Sequence, residues 1–225
     1  LQVVVGKYSP KLTAEDLAAS DYAGALEQLD NGTTTIFDWS REVLTPKHAD
    51  AAVHARQRSG MRAFLGCAIP GPQQGGDAVK ADIMRIQSGP LAARDGRVRL
   101  AIGLRGPDSS PPDQTEADFK FALSLGVIHQ FHIGAWLYQA RRPRATAKLN
   151  EDKLLSPRAI LVHANDLDED EYKICADAGA KIVVTPEVEM LMGHGQPATA
   201  RVLRNGGKPG LGVDVVRAEL VEQPA

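Results

Sequence analysis

The chain has 225 residues, of which 43% are hydrophobic, and its 26 basic and 28 acidic residues give a net charge of −2. This balance provides no electrostatic footprint for nucleic acid or an anionic membrane, so we expect neither partner. A chain of this length and apolar content can bury one sizeable core, and we expect residues 1–225 to form a single domain.

The two cysteines, Cys67 and Cys175, lie inside apolar runs without the spacing of metal ligands. Buried reduced thiols are therefore favoured over a disulfide, which is typical of a cytoplasmic protein. No apolar run approaches the roughly 20 residues that a bilayer span needs. The chain opens on Leu1 rather than on Met, which leaves open whether residues precede Leu1 or follow Ala225 in a longer protein.

Apolar residues at helical spacing alternate with short apolar runs between residues 13 and 133. Thr13 is a suitable N-cap, with Glu15 and Asp16 in the first turn of the helix that follows it. The predicted helices cover residues 13–31, 46–60, 77–92 and 114–125. The predicted strands cover residues 33–39, 62–68, 98–104 and 127–133. This alternation indicates repeated strand–helix units.

The segment of residues 136–156 shows the weakest pattern. Arg141, Arg142 and Arg144 surround a proline there. We interpret the segment as a basic loop, with a clamp for an anionic substrate as the alternative.

Three further strands are predicted, each with a polar residue at its carboxyl end, at residues 159–165, 181–189 and 209–216. The helices predicted between them cover residues 167–178 and 198–205. Such repeated units imply a parallel sheet, whose ligand site lies beyond the carboxyl ends of the strands. We expect His163, Glu189 and Asp214 there. If the second of these strands continues past Pro186, Glu187 and Glu189 share one of its faces.

Several motifs resemble the amidohydrolase superfamily, in its cytosine deaminase and triazine hydrolase-like branch. They are VHAN at residues 162–165, TPEVEMLMGHGQPAT at residues 185–199 and LGVDVV at residues 211–216. Upstream, GTTTIFDWS at residues 32–40, LRGP at residues 104–107 and HIG at residues 132–134 fit the same branch in the same order. The resemblance covers nearly the whole chain, from about residue 12 to residue 216.

This resemblance implies an α/β fold of the TIM type, a (β/α)8 barrel. The chain supplies about seven strands, so we expect an incomplete or truncated barrel that lacks the first strand and the last helix. The small β-sandwich domain that flanks these barrels in the family has no counterpart in the sequence.

In the family, a metal ion is held by a His-x-His pair on the first strand, a His on the fifth, a His on the sixth and an Asp on the eighth. The matching positions are His132, His163 and Asp214, which the resemblance implies as catalytic residues and as ligands of a divalent metal, zinc or iron. No His-x-His pair occurs in the sequence. His129 lies three residues from His132, and strand alternation sends the two to opposite faces. We therefore expect no tightly held ion in this chain alone, unless the missing ligands are supplied.

Four other residues are candidates for substrate binding. Glu189 matches a position that contacts the substrate in related deaminases, and His194 lies between two glycines in a mobile loop above the pocket. Arg105 ends a predicted strand and could hold an anionic or carbonyl group. Trp39 is either a wall of the pocket or ordinary packing.

Two functions remain open from the sequence. The first is a hydrolase that uses a metal-activated water to cleave a C–N bond, or a bond from a ring carbon to a leaving group, in a small cyclic substrate. The second is a metal-independent lyase, dehydratase or cyclase using His and Asp for acid–base chemistry, or a non-catalytic binding protein. Deaminases of the family often carry a proton-shuttling Glu where this chain has Ala135, which argues against ordinary nucleobase deamination.

An incomplete barrel leaves two strand edges, at residues 33–39 and 210–215, with unpaired backbone groups. We expect these edges to be covered. The cover is either further residues, residues 1–5 acting as a short strand, or a second copy of the chain in a homo-oligomer.

Overall fold

The computed structural model describes residues 4–93, 95–135 and 142–214. Within these ranges, seven strands form one sheet in chain order. The strands are β1 (Thr35–Ser40), β2 (Arg62–Ala68), β3 (Val98–Leu104), β4 (Ile128–Ile133), β5 (Ala159–His163), β6 (Lys181–Val184) and β7 (Gly210–Leu211). This sheet of sequential strands with intervening helices confirms the fold class, a partial barrel of the (β/α)8 type.

Eight α-helices lie in the described ranges. They are α1 (Ala14–Asp30), α2 (Pro46–Ser59), α3 (Gly76–Ser88), α4 (Pro112–Leu125), α5 (Ala145–Glu151), α6 (Glu169–Asp177), α7 (Pro186–Leu191) and α8 (Thr199–Arg204). No helix in this part of the chain has the length and apolar character needed to cross a membrane.

The chain divides into two compact units, one of residues 1–105 and 121–130 and the other of residues 106–120 and 131–225. In the first unit, β1, β2 and β3 pair in parallel, with Phe37 opposite Phe64 and Leu65 opposite Leu100. The predicted cap of α1 is present, because Thr13 and Asp16 form a reciprocal capping box. The helix end predicted at Gly60 is also confirmed, with a left-handed φ of 75°.

A buried arginine links three elements of the first unit. Arg56 on α2 is 2% exposed and donates to Asp21 of α1 at 2.6 Å, and it forms an ion pair with Asp38 of β1. Burial raises the pKa of Asp21, and the charge of Arg56 offsets this only in part. The network keeps a buried charge paired, as its low exposure requires.

In the second unit, β5, β6 and β7 pair in parallel, with Leu161 opposite Ile182 and Val184 opposite Leu211. The fully buried carboxylate of Glu171 accepts bonds from the N–H groups of Thr146 and Ala147 at 3.0 and 3.1 Å. It thereby satisfies two of the free N-terminal donors of α5.

Both predicted free cysteines are confirmed as buried thiols, and burial raises the pKa of Cys67 and Cys175 to about 12.

Three sequence-based expectations were wrong in this part of the chain. The predicted strand at residues 181–189 ends at Val184, because Pro186 at the first helical position starts α7 instead. The strand predicted at residues 210–215 is limited to Gly210 and Leu211. Residues 136–156 were interpreted as a loop, yet they contain α5, which is held by a distant carboxylate that no local pattern reveals.

The expectation that residues 1–5 form a substitute strand is wrong for Val4 and Val5, which are helical. Val4–Tyr8 is one turn of π-helix, while residues 1–3 lie outside the described residues.

Candidate active site

The site begins at the carboxyl end of β5, where the backbone adopts an unusual conformation. His163 and Ala164 have φ values of 73° and 53°, in the left-handed region that side chains other than glycine avoid. The N–H of Ala164 donates to the carbonyl of Ile133 at 2.9 Å, and that of Asp166 donates to the carbonyl of Gly134 at 3.0 Å. These bonds from the end of β4 hold a turn that costs on the order of 1–3 kcal/mol per residue.

Three imidazole rings lie in a row in the second unit. The ring centroids of His132 and His163 are 5.3 Å apart, and those of His163 and His194 are 4.9 Å apart. His163 and His194 are buried, with 2% and 4% exposure, and His132 is half-buried. Two of the predicted site residues, His132 and His163, are therefore neighbours, and His194 joins them as a buried side chain rather than an exposed one.

Glu189 on α7 is fully buried next to His163. Its Oε1 lies 3.3 Å from Nδ1 of His163 and accepts the N–H of Thr185 at 2.7 Å. Its Oε2 accepts Nδ2 of Asn165 at 3.1 Å. Burial raises the pKa of Glu189, but the hydrogen bonds from His163, Thr185 and Asn165 outweigh burial and bring the pKa below its usual value. The carboxylate is thus ionised at neutral pH.

His194 is held over the same residue, since its N–H donates to the carbonyl of Glu189 at 2.8 Å. Burial lowers the pKa of His194, the charge of His163 lowers it further, and the charges of Asp214 and Glu189 oppose this. The ring is therefore neutral at pH 7. Its buried Nδ1 has no hydrogen-bond partner among the described residues.

Asp214 follows β7 and differs from the histidines in its surroundings. It is exposed, and its φ of 66° is left-handed. The charge of Asp214 acts on His194, because it raises the pKa of that histidine against the effect of burial.

Trp39 and Arg105, the remaining predicted contacts, belong to the first unit. Trp39 packs on Gly103, where a Cβ atom would lie 3.2 Å from the indole, and Arg41 lies 5.9 Å from the ring centroid. The guanidinium of Arg105 lies against Gly71, where a Cβ would approach it to 2.8 Å. A side chain at position 103 would press on the indole of Trp39, whereas at position 71 the end of the flexible Arg105 side chain could move aside.

The alternative of an arginine clamp has limited support in the described residues. Arg144 donates to Asp170 at 2.5 Å and lies 3.7 Å from Asp168, so its charge is paired with the start of α6. Arg141 lies outside the described residues.

No family model matches the chain. The chain is 25% identical, over 97% of its length, to a 5-methylthioadenosine/S-adenosylhomocysteine deaminase from Symbiobacterium thermophilum, and it spans 51% of that relative.

The fold is shared with solved structures, among them two that contain zinc. An adenosine deaminase from Xanthomonas campestris with bound zinc superposes with a TM-score of 0.78 at 20% identity, covering 95% of this chain and 50% of that one. A mutant of atrazine chlorohydrolase from Arthrobacter aurescens, complexed with zinc and atraton, superposes with a TM-score of 0.75 at 23% identity, covering 94% and 51%. The relatives in sequence and the neighbours in fold support the resemblance of the chain to the amidohydrolase superfamily.

The resemblance implies a metal site, and the described residues meet its requirements only in part. Among residues 4–93, 95–135 and 142–214, no group of three or more His, Cys, Asp or Glu side chains is arranged to hold a metal ion. Nδ1 of His163 is already occupied by Glu189, which leaves one ring nitrogen for a ligand. A catalytic site takes about three protein ligands. The described part of the chain therefore does not provide a complete metal site.

Sequence reasoning missed Thr185, Asn165 and Tyr172 as parts of the site. Thr185 and Asn165 lie inside the quoted motifs. The side chain of Asn165 meets Glu189 only after β5 and β6 pair, whereas that of Thr185 meets it across the first turn of α7. The hydroxyl of Tyr172 donates to the carbonyl of Ala164 at 2.6 Å. A Thr-Pro pair is a recognised helix start, and this local signal would have placed α7.

Proposed function

We propose that the chain contributes to an amidohydrolase-type hydrolase that cleaves a C–N bond of a small cyclic substrate. The observation that carries the proposal is the convergence of His132, His163 and His194 at the carboxyl ends of parallel strands, where ligands bind in barrels of this type. The relative's name supports a purine nucleoside with an exocyclic amine as the substrate class. The chain spans about half the length of that relative, so both the deaminase activity and the substrate class are part of the proposal.

In this reaction, a water oxygen forms a bond to the ring carbon, the C–N bond breaks and an amine leaves. Asp214 is exposed, and in this role its carboxylate accepts a proton from the attacking water and returns it to the leaving nitrogen. His132 and His163 bind the polar atoms of the substrate next to the reacting carbon. The position of His163 is fixed by its buried neighbours Glu189 and His194. Ala135 has no acidic group to share this work.

A divalent metal remains part of the proposal, supported by zinc in the two similar structures. Such an ion lowers the pKa of a bound water to about 7. The described residues supply too few ligands for it, so the roles above are assigned to the side chains alone.

The alternative function, a metal-independent lyase or cyclase, is favoured by one observation. The buried His163–Glu189 pair places an imidazole against a carboxylate away from water, an arrangement suited to moving protons next to a carbonyl. The two functions differ in their products, since only the hydrolase adds the elements of water and releases an amine.

The test is amine release from 5-methylthioadenosine and S-adenosylhomocysteine, with zinc added or with a chelator. We expect release by the wild-type chain and a loss of at least about 100-fold in His163→Asn. The matched control is His54→Asn, an exposed histidine on α2, which should retain full activity. A product formed without amine release, at the same rate in chelator, would support the lyase. Absence of any amine release in both conditions would contradict the hydrolase.

A further inference from the structure

We propose that Glu189 is a positioning residue that fixes the tautomer and orientation of His163, and that it does not contact the substrate. The effect of Glu189 on catalysis rests on the proposed function. Its effect on the tautomer of His163 does not, because the tautomer can be measured without substrate. The sequence suggested substrate binding for Glu189, so the two roles make different predictions.

The first argument is that Glu189 has no surface left for a ligand. Its side chain is 0% exposed. Oε1 lies within 3.3 Å of three groups, which are the N–H of Thr185, the hydroxyl of Thr185 and Nδ1 of His163. Oε2 accepts the amide of Asn165. A substrate would have to displace a buried hydrogen bond, which costs on the order of 1–3 kcal/mol for the group left unpaired.

The second argument concerns where the proton of His163 lies. Both oxygens of Glu189 already accept from fixed N–H donors, Oε1 from Thr185 and Oε2 from Asn165, so the ring atom of His163 that faces Oε1 has to donate as well. Nδ1 of His163 faces Oε1 of Glu189 at 3.3 Å and the hydroxyl of Thr185 at 3.2 Å. One arrangement satisfies all three groups, with Nδ1 protonated and the threonine hydroxyl donating to the carboxylate. In the neutral ring, Nε2 then carries the free lone pair.

The third argument is that the local chain is built to hold this carboxylate in place. Thr185 follows β6 and caps α7, which starts at Pro186, so Glu189 lies one helical turn after Thr185. Glu189 and Thr185 consequently exchange two bonds, from the N–H of Thr185 to Oε1 at 2.7 Å and from the N–H of Glu189 to the carbonyl of Thr185 at 2.9 Å. These two hydrogen bonds hold the carboxylate of Glu189 toward His163 at the end of β5.

Glu189 also joins the other polar residues of the site into one network. Asn165 bonds Oε2 and the carbonyl of Gln196, and the backbone of His194 bonds the carbonyl of Glu189. Carboxylates that accept from the second nitrogen of a functional histidine set its tautomer and orientation, and their loss typically costs about 10–100-fold in function. Glu189 has the geometry of such a residue.

The test compares Glu189→Met, which removes the acceptor, with Glu189→Gln, which keeps an acceptor oxygen but removes the charge. Glu187→Met is the matched control, because Glu187 is exposed on the same helix. The tautomer of His163 is measured by ¹⁵N NMR of histidine-labelled protein at a pH where the ring is neutral, without substrate. We expect Nδ1–H in the wild type, in Glu187→Met and in most of the Glu189→Gln population, and a shift to Nε2–H in Glu189→Met.

Kinetics provide a second measurement that a purely structural role would not reproduce. A positioning role lowers kcat by at least about tenfold in Glu189→Met with KM changed less than about threefold, and Glu189→Gln restores part of the loss. A substrate-binding role raises KM instead, which would overturn the proposal.

The NMR measurement decides the proposal even if Glu189→Met does not fold. A wild-type His163 protonated at Nε2 would overturn it, as would a folded Glu189→Met variant that keeps Nδ1–H. A wild type that shows Nδ1–H but releases no amine would contradict the proposed function and leave the positioning role standing.

Discussion

Tyr172 donates a hydrogen bond from its hydroxyl to the carbonyl oxygen of Ala164, at 2.6 Å. Ala164 follows His163, and both have left-handed backbone angles. Tyr172 is 1% exposed, and Arg201 lies 5.3 Å from its ring centroid. A side chain on α6 thus holds the strained turn that presents His163.

We predict that Tyr172→Phe destabilises the protein by about 1–3 kcal/mol, because the buried carbonyl of Ala164 loses its donor. Urea denaturation measures the free energy of unfolding. The control is Tyr22→Phe, whose ring keeps its contact with Arg58 and whose free energy of unfolding should change by less than about 0.5 kcal/mol. Equal effects of the two substitutions would contradict the role of the hydroxyl.

The same tyrosine predicts a loss of stability at alkaline pH. Burial raises the pKa of Tyr172 from 10.0 to about 12, so the folded state holds the phenolic proton more tightly than the unfolded state. The resulting stabilisation is complete below pH 10 and is lost as the pH rises toward 12, by up to about 1.4 kcal/mol per pH unit. Tyr172→Phe should lose less stability than the wild type over this interval. Parallel pH profiles of the free energy of unfolding would refute the assignment.

Two glycines of the first unit should respond in opposite directions to alanine. At Gly66 in β2, a Cβ atom would lie 2.4 Å from the ring of Phe37 and 2.8 Å from a backbone oxygen, so Gly66→Ala should destabilise by about 1–3 kcal/mol. At Gly24 in α1, nothing lies within 4 Å, so Gly24→Ala should stabilise by about 0.5–1 kcal/mol through helix propensity. Thermal unfolding measures both, and a stabilised Gly66→Ala would show that β1 and β2 are less closely packed.

Asp108 holds two backbone amides that flank residues 136–141. Its carboxylate accepts the N–H of Gly134 at 2.8 Å and that of Arg142 at 3.0 Å. We predict that Asp108→Ala raises the hydrogen-exchange rates of both amides at least tenfold and destabilises the protein by about 1–3 kcal/mol. The exposed Asp113 on α4 provides the control, and Asp113→Ala should leave both rates unchanged. Unaltered exchange at Gly134 in Asp108→Ala would refute the prediction.

Much of the fold was predictable because its signals are local. Strands β2 and β3 were predicted at their observed bounds, and α2 ends where Gly60 was expected to end it. Apolar periodicity, caps and glycines act within a few residues, so they are legible in the sequence. The short α7 was missed because the apolar residues after Pro186 were assigned to the preceding strand, although the Thr-Pro pair indicated a helix start.

The sequence by itself determined the order of the seven strands, the superfamily resemblance and the placement of His132 and His163 near strand ends. Only the tertiary structure decided that His194 is buried beside His163, that Glu189 faces Nδ1 of His163, and that Asp214 is exposed. The physical reason is that burial and hydrogen bonding join residues far apart in the chain. His163 and Glu189 are 26 residues apart, and the pairing of β5 with β6 and the turn at Pro186 bring them together.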